Sequence, residues 1–145
     1  MPGWVEEGWR EYARRMPREL ALELREIPLG KRSKNADIAR LRKAEGEALV
    51  AACGAGCHLV ALDGGGAAWS TERLAARLEA WMAGGVDVGF LVGGPDGLDD
   101  ACLARVDERW SLGPLTFPHP LVRVILAEQL YRAWTITRNH PYHRA

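Results

Sequence analysis

The fold is decided by two stretches, Leu91-Val-Gly-Gly-Pro-Asp-Gly-Leu98 and Trp110-Ser-Leu-Gly-Pro-Leu-Thr-Phe-Pro-His-Pro120. Glycines directly after an apolar run indicate that the backbone must come close to something. A proline-rich segment before a long helical pattern indicates a stiff loop with few amide donors. Together the two stretches predict a rigid, backbone-lined pocket at the ends of parallel strands, where open α/β sheets bind ligands.

Outward from these stretches, short apolar runs alternate with helical patterns along the whole chain. Strands are predicted at residues 20–24, 58–62, 86–92 and 110–112. Helices are predicted before Pro17, after an Asn35 cap, after a Ser70 or Thr71 cap, over residues 99–108, and from Pro120 to about Thr137. This alternation predicts an α/β fold with a mostly parallel sheet, helices on both faces, and a single domain over residues 1–145.

Composition sets limits on the function. The 145 residues are 48% hydrophobic, which is enough for one domain with a real core. The 19 basic and 19 acidic residues cancel, so any RNA contact must use a local patch. No apolar run is long enough to span a membrane, and the N-terminus does not read as a signal peptide. We therefore expect a cytoplasmic protein without a membrane partner.

The usual metal and nucleotide motifs are not convincing. Cys53, Cys57 and His58 could be imagined as metal ligands, but no second ligand pair has suitable spacing, so no metal is expected. Gly64-Gly-Gly66 follows a strand without forming a dinucleotide fingerprint or a P-loop, which favours a flexible turn. For residues 93–97, a simple turn and a loop that contacts a ligand remain equally open.

Three further features each have two readings. Lys31, Arg32 and Lys34 form either a solvated loop or a phosphate contact. The C-terminal histidines are structural or contact substrate. The last helix is apolar on more than one face, which indicates either a second subunit or deep burial in its own domain. Its apolar residues are Leu121, Val124, Ile125, Leu126, Ala127, Leu130, Tyr131 and Trp134.

Four segments carry a resemblance to a known family. Lys31-Arg-Ser-Lys-Asn-Ala-Asp-Ile38, residues 91–98, Leu115-Thr-Phe-Pro-His-Pro-Leu-Val-Arg123 and Asn139-His-Pro-Tyr-His-Arg144 resemble the RlmH family. These are small SPOUT-class methyltransferases that act on pseudouridine in 23S ribosomal RNA. The similarity covers essentially the whole chain, and the segments occur in the family's order.

The resemblance implies a C-terminal trefoil knot that holds S-adenosylmethionine, a homodimer, and methyl transfer to N3 of a pseudouridine on the assembled ribosome, with no DNA partner. The implied cofactor-binding residues are Leu62, Gly93, Gly94, Leu112, Gly113, Pro114, Leu115, Thr116 and Phe117. The expected RNA-binding residues are Lys31, Arg32, Lys34, Arg123, His140, Tyr142, His143 and Arg144. His119 and His143 are the candidate catalytic bases, and loss of the N3 proton to solvent is the alternative.

The chain departs from the family at its start. Family members usually open with a β-strand before the Met-Pro-x-Trp segment that is residue 1 here, so the N-terminal strand is expected to be missing. Two other functions compete with catalysis of methyl transfer. A ribosome-associated assembly factor would keep the fold without catalysis, and a nucleotide-dependent oxidoreductase would need a phosphate fingerprint that the chain lacks.

Overall fold

A computed structural model describes residues 2–142, which divide into two compact units. The described part of the helical unit comprises residues 2–24, 69–85 and 117–142, and the sheet unit comprises residues 25–68 and 86–116. The elements, in chain order, are α1 (Gly3–Ala13), a 3₁₀ helix (Arg18–Leu20), α2 (Ile38–Cys53), β1 (His58–Ala68), α3 (Thr71–Gly84), β2 (Val88–Val92), α4 (Asp100–Arg105), β3 (Glu108–Ser111) and α5 (His119–Thr137).

The sheet unit contains three parallel strands in the order β2-β1-β3, which confirms the predicted α/β class with a parallel sheet. Ala61 pairs with Leu91 in the centre, and both are buried together with Leu98, Cys102 and Leu103. The last three residues lie on α4 or just before it. Apolar residues of α2 pack against the same cluster, so both helices of this unit contribute to one core.

Strand β1 does not end in a flexible turn at its three glycines. It continues to Ala68 with a shift in register, so that both Leu62 and Ala67 pair with Trp110 of β3. At Gly66 a Cβ would lie 2.6 Å from the backbone carbon of Arg109. Glycine therefore permits β1 to lie directly on the neighbouring strand, and the turn prediction was wrong for this physical reason.

The helical unit packs α5 against both α1 and α3. Val5 of α1, Leu74 of α3 and Thr135 of α5 are fully buried. At Gly8 a Cβ would lie 3.1 Å from Cγ1 of Val124, so α1 lies close to α5 at this point. Two helices of its own unit therefore account for part of the broad apolar surface of α5.

Two local predictions were wrong. The strand expected at residues 20–24 is a 3₁₀ turn over Arg18–Leu20 followed by irregular chain, although its leucines alternate between half-buried and exposed neighbours. The alternation therefore reflects burial of one side of an irregular segment that belongs to no β-strand within residues 2–142. The cap of α2 is Asp37 rather than Asn35, since the Asp37 side chain accepts a hydrogen bond of 3.1 Å from the Arg40 amide.

Candidate cofactor and RNA site

Gly93 and Leu112 directly follow the carboxyl ends of the parallel strands β2 and β3. Leu62 was expected at a strand end, but it lies within β1, which continues to Ala68. Leu62 pairs with Val92 on one side and with Trp110 on the other. Gly93 is the next residue after Val92 and Leu112 the second after Trp110, so both lie at the carboxyl ends of the two strands that flank Leu62. This is the edge at which open parallel sheets bind ligands.

The loop after β2 is a closed turn. The Gly97 amide donates a hydrogen bond of 3.0 Å to the carbonyl of Gly94, and Gly97 has a φ of 73°. A Cβ at Gly93 would lie 2.7 Å from the carbonyl carbon of Gly97 and 3.0 Å from the amide nitrogen of Leu98. Glycine at position 93 is therefore required by the packing of the loop on itself.

The loop after β3 is built differently. The Ser111 hydroxyl donates to the Gly113 carbonyl at 3.2 Å and accepts from the Gly113 amide at 3.1 Å. Gly113 has a φ of 112°, in the region that favours glycine, and no atom crowds its missing Cβ. The following residues Pro114, Leu115 and Thr116 are exposed, with Leu115 at 71%. This loop therefore presents its backbone and an apolar side chain to the surroundings.

The basic loop contains one arginine with internal partners and two lysines without them. Arg32 forms ion pairs with Glu45 of α2 and with Asp96 of the loop after β2. Lys31 and Lys34 are exposed and form no ion pair within residues 2–142. The structure thus separates three cations that the sequence grouped together.

Glu45 is the buried member of this cluster, with 8% of its surface exposed. Its carboxylate also accepts a hydrogen bond of 3.0 Å from the Gly30 amide. Hydrogen bonding to Arg32, aided by this amide, lowers the pKa of Glu45 against the opposing effect of burial. Hydrogen bonds to Glu45 and then to Asp96 raise the pKa of Arg32, so Arg32 and Glu45 both stay charged at neutral pH.

The remaining predicted residues belong to the helical unit. Phe117 precedes α5 and is half-buried, His119 is the first residue of α5, and Arg123 lies one turn further along. His140 and Tyr142 follow the helix. His143 and Arg144 lie outside the described residues, so the structure says nothing about them.

The segment after α5 folds back in a defined way. Asn139 has a φ of 54°, while its amide donates to Ile136 at 3.3 Å and the His140 amide donates to Thr135 at 2.8 Å. These contacts form a Schellman motif, in which asparagine takes the left-handed position usually filled by glycine. The helix end therefore sets the direction of the segment that carries His140 and Tyr142.

Tyr142 is held by a pair of charges on α5. Its hydroxyl donates to Glu128 at 2.9 Å, and the guanidinium of Arg132 lies 4.9 Å from its ring centroid. Glu128 and Arg132, four residues apart on α5, also form an ion pair at 2.8 Å. Burial, and then the hydrogen bond to Glu128, raise the pKa of Tyr142 to about 12, so the phenol is a neutral donor at physiological pH.

Sequence reasoning did not identify Glu45, Asp96 or the link from Glu128 to Tyr142. The sequence did contain one signal for Glu45, because it precedes Gly46 on the face of α2 that also carries apolar residues. No spacing rule connects residue 32 with residue 96, or residue 128 with residue 142. Among residues 2–142 no group of histidine, cysteine, aspartate or glutamate side chains is arranged to hold a metal ion. None of the helices in that range is long and apolar enough to cross a membrane.

A parallel sheet with glycine loops at its carboxyl edge defines an α/β protein of the open-sheet class, in which ligands commonly bind at that edge. The profile of the family described as "Predicted SPOUT methyltransferase" matches residues 1–143, and the chain belongs to this family. It is 61% identical over 144 residues to the ribosomal RNA large subunit methyltransferase H of Methylococcus capsulatus, and 59% identical over 144 residues to that of Hahella chejuensis. These alignments cover 99% of this chain and 93% and 92% of the two relatives.

Proposed function

We propose that this protein transfers a methyl group from S-adenosylmethionine to N3 of a pseudouridine in 23S ribosomal RNA, in the cytoplasm and on the assembled ribosome. The observation that carries the proposal is near-complete alignment, at 59–61% identity, with proteins named ribosomal RNA large subunit methyltransferase H. The position of Gly93 and Leu112 after the ends of β2 and β3, on either side of Leu62 in β1, supports the same function.

The residues at this edge suit S-adenosylmethionine. Apolar side chains of Leu62, Leu112 and Leu115 offer surface to an adenine ring, while the backbone of the two glycine loops offers hydrogen-bonding groups to its polar edges. When bound, S-adenosylmethionine supplies an electrophilic methyl group. We assign Pro114, Thr116 and Phe117 to the same binding loop on the strength of the family resemblance.

The protein's main contribution to the reaction is positioning. Methyl transfer needs an in-line approach of the nucleophilic nitrogen, and holding both partners in near-attack geometry lowers the barrier. The pseudouridine N3 must also lose its proton. His119 and His143 are the proposed bases, and proton loss to solvent is the alternative that their substitution would test.

Family membership also leads us to propose a C-terminal trefoil knot and a homodimer. True knots are rare in proteins, and no local pattern in a sequence announces one. Leu121, Val122 and Ile125 of α5 remain partly exposed, which supports a second subunit on this helix. Light scattering at micromolar concentration should report a dimer, and a clean monomer would contradict the proposal.

The residues that we propose to contact RNA are Lys31 and Lys34 of the sheet unit, and separately Arg123, His140, Tyr142, His143 and Arg144. Because the chain has no net charge, one subunit offers little basic surface for gripping free RNA. An assembled ribosome adds docking surface and presents the nucleotide in one geometry. We therefore expect methylation of ribosomes, little methylation of naked RNA, and a fall in activity as salt rises.

The decisive experiment is a radiolabelled methyl-transfer assay on ribosomes that lack the modification, with protein-free 23S RNA as the matched control. Label at N3 of one pseudouridine on ribosomes alone is the expected result. Calorimetry with S-adenosylmethionine separates the enzyme from a non-catalytic assembly factor of the same fold. Failure to bind the cofactor and to transfer label would refute the proposed function, whereas equal labelling of naked RNA would refute only the docking argument.

A further inference from the structure

Arg32 joins three segments of the sheet unit. Its Nη1 donates to the Gly30 carbonyl at 3.0 Å, its Nη2 donates to Glu45 at 2.9 Å, and its Nε donates to Asp96 at 3.1 Å. A further hydrogen bond from Nη1 reaches Glu45. One planar guanidinium thus connects the basic loop, helix α2 and the loop after β2.

We propose that Arg32 is a positioning residue that fixes the loop after β2 through Asp96 and Glu45, and that it does not serve as an RNA phosphate contact like Lys31 and Lys34. The inference rests on the proposed function, because it takes that loop to be part of the S-adenosylmethionine site. It changes the expected role of Arg32, which sequence grouping alone assigned to RNA.

The geometry explains why an arginine is needed here. Its rigid fork can satisfy two carboxylates and a carbonyl at once, whereas a lysine ammonium is a single point charge that cannot match the same set. Only 22% of the Arg32 side chain is exposed. Turning it outward to a phosphate would break its internal contacts and leave Glu45 as a buried carboxylate without its cation, which is costly.

The loop lies close to this cluster. A Cβ at Gly94 would lie 3.8 Å from Oε1 of Glu45, so the carboxylate stands directly beside the glycine backbone. Asp96 occupies the turn that the Gly94 carbonyl and the Gly97 amide close. Arg32 therefore contacts the turn directly through Asp96 and also orients Glu45, which lies beside Gly94. Loss of Arg32 should loosen the turn while leaving the strands in place.

The experiment compares Arg32→Lys, Arg32→Ala and Asp96→Asn with Lys34→Ala as the charge-matched control. Steady-state assays give separate KM values for S-adenosylmethionine and for ribosomes, and amide hydrogen exchange reports on Gly97 without cofactor. We expect Arg32→Lys and Arg32→Ala to raise the cofactor KM by about tenfold, the loss that one charge-assisted hydrogen bond produces, with the ribosome KM unchanged. Asp96→Asn should raise it by a smaller factor, since a neutral amide oxygen still accepts from Arg32.

In all three variants the Gly97 amide should exchange faster than in the wild type, and Lys34→Ala should change only the ribosome KM and its salt dependence. The inference fails if Arg32→Lys has the cofactor KM and the Gly97 exchange rate of the wild type. It also fails if the Arg32 variants raise only the ribosome KM, or if the Gly97 exchange rate does not change. A wild-type protein that binds no S-adenosylmethionine would instead refute the proposed function, and the exchange of Gly97 would still decide whether Arg32 fixes the loop.

Discussion

The loops after β2 and β3 both combine glycine with proline, yet they use glycine for different physical reasons. In the loop after β2, a Cβ on Gly93 would collide with the loop's own backbone at 2.7 Å. In the loop after β3, Gly113 has open space around it and needs glycine for its φ of 112°. The first loop is closed and braced by charges, whereas the second is open and exposes Leu115. The same residue type therefore marks a packing constraint in one place and a dihedral constraint in the other.

Gly93→Ala should give the largest effect and tests the packing constraint. The added methyl must displace the backbone at Gly97 and Leu98, an overpacking that costs on the order of 3 kcal/mol. We expect a lower free energy of unfolding in urea and loss of S-adenosylmethionine binding by calorimetry. A variant with wild-type stability would show that the loop is not closed in the way described.

Gly113→Ala tests the dihedral constraint and should cost less. An L-residue held at positive φ costs about 1–2 kcal/mol, and the open space around position 113 adds no collision. Urea unfolding should show this moderate loss. A variant with wild-type stability would show that the backbone at position 113 does not require glycine.

Gly94→Val should separate binding from stability. The nearest atom to a Cβ at position 94 is Cδ2 of Leu29, at 2.8 Å, and the exposed Leu29 side chain can move aside. We expect a stability loss below about 1 kcal/mol together with loss of cofactor binding. Adding Leu29→Ala should restore stability without restoring binding. If the variant binds S-adenosylmethionine normally, the proposed pocket is assigned to the wrong loop.

Local sequence patterns predicted most of this fold, but not the contacts between segments that lie far apart in the sequence. The apolar run before Gly93 and the helical spacing after Pro120 identified β2 and α5, because burial and periodicity act over a few residues. They wrongly predicted a strand at residues 20–24, where one side of an irregular segment is half-buried. The register shift in β1 and the contact between Arg32 and Asp96 depend on which segments meet in three dimensions, and no spacing in the sequence encodes that. The placement of Gly93 and Leu112 at one edge followed from the parallel order alone, whereas Leu62 lies within β1 because that strand continues to Ala68.

The smallest predicted effect is a difference in acid sensitivity between the two loops. Hydrogen bonding to Arg32 lowers the pKa of Glu45 below its ordinary value of 4.5, so this pair stabilises the folded state fully above that value. The contribution is lost as pH falls through the lower pKa of the folded protein, because the carboxylate then takes up a proton. The stability difference between wild type and Glu45→Gln should therefore shrink below pH 4.5, as followed by urea unfolding.

The loop after β3 has no titratable group over residues 112–116, so the stability loss of Gly113→Ala should stay constant over the same pH range. If the stability loss of Gly113→Ala changed with pH in the same way as that of Glu45→Gln, the two loops would be coupled.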